Sequence, residues 1–156
     1  NSPLEMCSDN LISNKFFRYN MSDTSERIEI ERKIRNACNG ISYISETDSL
    51  VEYFAAKPTR EFDLKFFLQA IGRPDEKYCE EVDASAFFER LTKTKSWQSE
   101  EEKNNVRRFA RLQKVLFENL KDIRVYKIGR IRIDIFVAGV DPDGLICGVK
   151  MKAVET

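Results

Sequence analysis

Histidine is missing from all 156 residues, which removes the commonest general base, the commonest metal ligand and every Ser-His or Cys-His nucleophile arrangement. Hydrolase chemistry of the familiar kinds is therefore disfavoured, and no metal site is expected. Glycine-rich phosphate loops of the G-x-G-x-x-G or G-x-x-x-x-G-K form are absent too. The chain does not open with a basic region and an apolar stretch of signal-peptide length, and no apolar run approaches the length that spans a bilayer. A soluble, cytoplasmic protein without a membrane partner is the expectation. Cysteine is sparse: Cys7, Cys38, Cys79 and Cys147 are irregularly spaced, with no C-x-x-C pair. They read as reduced thiols, with Cys38 and Cys147 serving as small hydrophobes in apolar-periodic segments.

Net charge is also missing. Lys plus Arg and Asp plus Glu number 26 each, so the molecule has no overall field to draw nucleic acid or an acidic partner from a distance. Any electrostatic role is local. At this length one domain is expected, with enough buried surface for a single core. Residues 1–20 read as an irregular extension whose only aromatic cluster is Phe16, Phe17 and Tyr19, and residues 21–156 read as the domain.

Asp23 and Glu26 have capping-box spacing and predict a helix start, with Ile30, Ile34, Ala37 and Cys38 on its apolar face and Gly40 as a left-handed stop. Ile41–Ser45 has strand composition, and Glu46-Thr47-Asp48-Ser49 reads as an exposed turn. Phe62–Ile71, rich in aromatics and ended by Gly72-Arg73-Pro74-Asp75, reads as a strand. Glu80 and Glu81 read as part of a charged loop. Asp83 caps a short helix to Leu91, and Ser99-Glu100-Glu101-Glu102 is a capping box that opens the longest helix. The segment between them is polar apart from the single tryptophan, Trp97. From Val125 the hydrophobic period becomes two. Gly129-Arg130 predicts a two-residue type II′ turn, Asp141-Pro142-Asp143-Gly144 a second turn, and the whole a three-stranded antiparallel meander.

The last strand pattern, Val149-Lys150-Met151-Lys152-Ala153-Val154-Glu155-Thr156, runs almost to the end of the chain. A free α-carboxylate is thereby held on a rigid element, where most chains end in a frayed tail, and this favours a binding protein over an enzyme. The carboxylate pairs have structural explanations: Glu100–Glu102 favour a helix N-terminus, and Asp141 and Asp143 flank a proline turn. Between Lys103 and Lys152 basic residues outnumber acidic ones, which leaves open a basic face able to meet phosphates or simply the solvated side of an amphipathic helix.

Three separated elements, Gly40-Ile41-Ser42-Tyr43-Ile44-Ser45-Glu46, Ser96-Trp97 before an acidic helix start, and the terminal Ala153-Val154-Glu155-Thr156, together resemble the nuclease A inhibitor family. The similarity runs in one register from about Glu26 to Thr156 and includes Ala86-Phe87-Phe88, Asn119-Leu120-Lys121 and Val125-Tyr126-Lys127-Ile128-Gly129. The resemblance implies an α+β fold, a three-layer α-β-α sandwich like that of pathogenesis-related proteins with a mainly antiparallel sheet. It further implies a non-catalytic inhibitor that binds, one to one, a magnesium-dependent, sugar-non-specific DNA and RNA endonuclease and plugs its active site. Under it, Glu46 faces a catalytic-site arginine, Trp97 is an interface aromatic with Lys95 and Ser96 beside it, and Thr156, next to Glu155, approaches the nuclease's magnesium through water. No resident cofactor and no small-molecule substrate are expected, and direct nucleic-acid binding is disfavoured. Lys95 departs from the family pattern, which has an uncharged polar residue there. The alternative from another class is a regulatory interaction module of the same fold, binding another protein or nucleic acid through the basic face. An enzyme is the weakest reading, since without histidine it would need a carboxylate or cysteine mechanism.

Overall fold

A computed structural model describes residues 21–57 and 61–156, the first four of them by their backbone alone. The expectations for residues 1–20, Cys7 among them, lie outside the described residues. The chain divides after Ile30 into two compact units, the second of which, Glu31–Thr156, contains the sheet. Helix α1 (Met21–Cys38) is followed by strands β1 (Ser42–Ile44), β2 (Asp48–Leu50) and β3 (Glu52–Ala55), then α2 (Leu64–Ala70) and β4 (Cys79–Val82). Helices α3 (Ala84–Leu91) and α4 (Glu100–Asn119) lead into β5 (Lys121–Ile128), β6 (Arg132–Val140) and β7 (Ile146–Val154).

The main sheet has the order β3-β7-β6-β5-β4 and is antiparallel throughout, with β1 and β2 forming a separate hairpin. Alternation along β6 sends Ile133, Ile135 and Val137 to one face and Phe136 and Ala138 to the other. On the second face α2 seats Phe67, fully buried, against Phe54, Tyr126 and Phe136, with ring centroids 4.9–6.1 Å apart. On the first face α3 and α4 pack on β5 and on each other, and Phe109, Leu112 and Leu116 are buried along α4. Helices on both faces of an antiparallel sheet make this an α+β fold of three layers. Apolar residues of β5 and β6 are buried on both faces for that reason.

Local chemistry accounts for most boundaries. Ser99 and Glu102 form the reciprocal capping box, the Glu102 amide donating to Ser99 Oγ at 3.1 Å and the Ser99 amide to Glu102 Oε1 at 2.8 Å. Asp83 caps α3 by accepting from the Ala86 amide at 2.9 Å, and Gly40 ends the turn after α1 at φ +80°. Asp141 Oδ1 accepts from the Asp143 and Leu145 amides and closes the β6–β7 turn. The β5–β6–β7 meander, the buried Cys38 and Cys147, and the α3 and α4 helices stand where the sequence predicts them.

Five expectations are corrected. The stretch Phe62–Ile71 holds the helix Leu64–Ala70, not a strand: Asp63 accepts from the Phe66 amide, and Leu64, Phe67, Leu68 and Ile71 recur at helical spacing. The cap and the period prevail over the strand preference of aromatics. Glu80 and Glu81 lie in edge strand β4, not in a loop, and outward charges on such an edge discourage pairing with another chain. The β5–β6 connection comprises Gly129, Arg130 and Ile131 rather than two residues, with Gly129 at φ +116°. Finally, the described helix α1 already includes Met21, so Asp23 lies within it and is not its cap, and Asp48 and Ser49 belong to β2 rather than to a turn.

The packing of α2 rests on Phe67, so Phe67→Ala should lower unfolding free energy by about 3–5 kcal/mol, measured by denaturant titration. A loss below about 1 kcal/mol would show that α2 adds little to the fold.

Candidate functional site

The C-terminus of β7 is fastened from both edges. Along β7, strand β3 pairs only as far as Glu52 opposite Lys150, which leaves the later amides on that edge without a backbone partner. Polar side chains of the β1–β2 hairpin take them in turn. Lys152 N donates to Ser49 Oγ at 2.9 Å, Val154 N to Ser45 Oγ at 3.1 Å, and Thr156 N to Glu46 Oε2 at 2.8 Å. Each accepting group substitutes for a ladder carbonyl, so edge amides that need a partner have one. The Thr156 hydroxyl adds a second donation to the same Glu46 oxygen, also at 2.8 Å. On the opposite edge the Glu155 amide donates to Ile131 O at 3.0 Å, and Lys127 Nζ lies 3.7 Å from Glu155 Oε2.

Glu46, Glu155 and Thr156 are thus brought together, all exposed. Glu46 is ionised below the usual carboxylate range because the Thr156 amide, and then the Thr156 hydroxyl, donate to it. Donation to the charged form favours that form.

Lys95, Ser96 and Trp97 occupy a separate turn between α3 and α4, and all three are exposed. The Lys95 amide donates to Gln98 Oε1 at 2.9 Å, and the Gln98 amide returns a bond to Lys95 O at 3.1 Å. This closed turn runs directly into the Ser99 cap, so Trp97 is presented on rigid backbone. Its ring is 77% exposed and carries the Lys95 ammonium 5.4 Å from its centroid.

Asn105 joins the two groups. From the second turn of α4 its side chain accepts from Ser42 N at 3.0 Å and donates to Ser42 O at 2.9 Å, pairing with β1 as a strand would. A groove of about 140 Å³ therefore lies between β1 and the Lys95–Gln98 turn, lined by Ser42, Ile44, Lys95, Gln98 and Asn105 among others. Glu46 follows Ile44 by two residues, at the other end of the hairpin tip.

Sequence reasoning singled out the end groups and missed their supports, Ser45, Ser49 and Asn105. The alternation of Ser45, Thr47 and Ser49 is the one local signal for the first two. Nothing near Asn105 in the sequence points to β1, 63 residues away.

The Glu46 latch has a definite pH dependence. Its carboxyl is depressed in the folded protein, so the stabilisation it brings is complete above the ordinary glutamate value and is lost as pH falls through the lower, folded value. The Thr156 amide should therefore stay protected at weakly acidic pH and be released below the usual carboxylate range, followed by its NMR shift and exchange rate. Glu46→Gln should abolish that titration; a midpoint at the ordinary glutamate value would contradict the latch.

No curated protein matches the chain. The family described as nuclease A inhibitor-like protein matches residues 28–156, a span that contains Glu46, the Lys95–Trp97 turn, Asn105 and the latched C-terminus. With this match over most of its length, the chain belongs to the nuclease A inhibitor-like family.

Proposed function

We propose that this protein is a non-catalytic inhibitor that binds one magnesium-dependent, sugar-non-specific endonuclease and covers its active site with the C-terminal end of β7. Family membership indicates nuclease inhibition and a nuclease partner. The observation that carries the finer reading is the latch: Thr156, just past the end of β7, is held by two 2.8 Å bonds to Glu46 on an exposed edge.

Each group has a chemical part in that reading. The Thr156 hydroxyl and carbonyl present oxygen atoms, the ligands a hard cation prefers, so Thr156 approaches the nuclease's magnesium through water. Glu46 accepts both Thr156 bonds on Oε2, leaving Oε1 for a guanidinium at the catalytic site, where a charge-assisted pair is strong once desolvated. Trp97 is a large aromatic with little rotamer freedom to lose, the type most often found as an interface hot spot. Lys95, Ser96 and Glu155 lie beside these anchors and form the polar rim. In this mode the nuclease meets an anion on a fixed strand in place of a nucleic-acid phosphate.

Plain nucleic-acid binding has less support. The overall charge is zero, and of the cations on the helix and sheet Arg107 and Arg124 each face a carboxylate, Glu100 and Glu81, at 3.9 Å.

Titration into a magnesium-dependent, non-specific nuclease assay tests the proposal. The intact chain should inhibit stoichiometrically. Trp97→Ala should weaken inhibition by about tenfold or more without moving the unfolding midpoint, because the ring is exposed. Removal of Thr156 should weaken it as well, again with the fold intact. Inhibition constants unchanged by both alterations would overturn this assignment of the surface, and no inhibition by the intact chain would overturn the function.

A further inference from the structure

Beyond the latch, the same end of the sheet presents a second set of exposed groups. Tyr78 precedes β4, and Arg130 and Ile131 form the β5–β6 tip. Tyr78 is 51% exposed and Ile131 53%, while the Arg130 guanidinium lies 5.3 Å from the Tyr78 ring centroid. The tip is built rather than loose: the Gly129 amide donates to Tyr78 O at 2.7 Å, and a Cβ at Gly129 would collide with Arg132 O. Stacking on Tyr78 restricts Arg130 and leaves its outer N–H groups available. Among the described residues Arg130 has no ion-pair partner.

This tip cannot be separated from the C-terminus. The Glu155 amide donates to Ile131 O at 3.0 Å, so a body that covers Thr156 reaches Ile131 within one residue's width of the strand. Ile44 of β1 lines one groove with Lys95 and Gln98, so the turn before α4 stands beside the β1–β2 hairpin. At the tip of that hairpin Ser45 accepts from Val154, which pairs with Arg132 at the start of β6, the residue after Ile131. Ile44, Trp97, Ile131 and Tyr78 are exposed large apolar side chains at this one end. Specific interfaces cover about 800 Å² per partner and about 20–30 residues on each side. Glu46, the Lys95–Trp97 turn, Glu155 and Thr156 fall well short of that, and the tip is the adjoining surface on which the footprint can grow.

We propose that Tyr78, Arg130 and Ile131 form a second arm of the nuclease-binding surface, fitting an apolar patch bordered by a carboxylate on the rim of the nuclease's cleft. This rests on the inhibitor reading above. Thr156, with Glu46, engages the active site, and the arm acts outside it, selecting among nucleases whose active sites are alike. Ile131 supplies the apolar anchor and Arg130 the charge that requires an acidic partner group.

The test is calorimetric titration of the full chain into a catalytically inactivated, magnesium-dependent, sugar-non-specific endonuclease. Ile131→Asp and Arg130→Glu are compared with Arg111→Glu and Lys114→Glu, exposed charge-reversal controls in the C-terminal half of α4. All four should keep the unfolding midpoint of the unaltered chain. The two tip variants should each weaken binding by about tenfold or more, with the controls within about twofold. Loss of binding with Trp97→Ala and with Thr156 removed, but none with the tip variants, would overturn the arm and leave the inhibitor reading standing. Absence of binding by the unaltered chain would overturn both. Self-association of the free chain that the tip variants abolish would assign the arm to a second copy and overturn its role toward a nuclease.

Discussion

The structure depends on how strand β7 is finished. A strand that outruns its neighbour leaves a row of amides that either fray or recruit another chain. Here the row is completed by Ser49, Ser45 and Glu46, each two residues further along the facing edge of β7. The period of two in β7 sets which amides point that way, and the β1–β2 hairpin matches it with side-chain oxygens. The other edge remains in register with β6 up to the Glu155–Ile131 bond. A terminus held from both sides loses little conformational freedom when a partner closes on it, so more of the contact energy appears as affinity.

Asn105 extends the same device to the helical layer. Its amide group satisfies both the N–H and the C=O of Ser42, so β1 is docked on α4 by the pairing it would make with another strand. The Ser99 capping box fixes where α4 starts, and thereby where Trp97 stands. The aromatic group and the anionic group are consequently carried on different layers yet referred to one framework. Partly satisfied polar supports of this kind would be costly, which gives the three side chains a structural reason to be polar where hydrophobic packing would otherwise serve.

Much of this was legible in the sequence because local and tertiary preferences agree. Ser99–Glu102, Asp83 and Gly40 are caps whose chemistry needs no distant partner, and the alternation from Val125 onward already separates the two faces of the sheet. Trp97 is visible because it breaks the pattern around it, a large aromatic in a polar turn, and Thr156 because the strand pattern of β7 runs up to it. Phe62–Ile71 is misleading because its aromatic content suits a strand, while the spacing of Leu64, Phe67, Leu68 and Ile71 and the Asp63 cap set a helix. The supports were illegible for a different reason: Ser45, Ser49 and Asn105 act on residues 109, 103 and 63 positions away. Serine and asparagine in a polar stretch look the same whether they face water or replace a strand.

Electrical neutrality completes the argument. With 26 charges of each sign the molecule has no long-range attraction to a nuclease surface, and association without steering proceeds at rates of about 10⁵–10⁶ M⁻¹s⁻¹. Tight binding must then come from slow dissociation, which depends on what is touched after encounter. Rigid anchors suit that requirement. Trp97 stands on a closed turn, Thr156 is latched, and Arg130 is stacked on Tyr78, so in the proposed complex each would meet the nuclease in the conformation it already holds. Charge at this end is used locally and in both signs, Glu46 beside Thr156 and Arg130 beside Ile131. Mixed local charge penalises a partner whose pattern is reversed more than it rewards a general polyanion or polycation. On the proposed reading, a neutral inhibitor of this design gives up fast capture and gains discrimination.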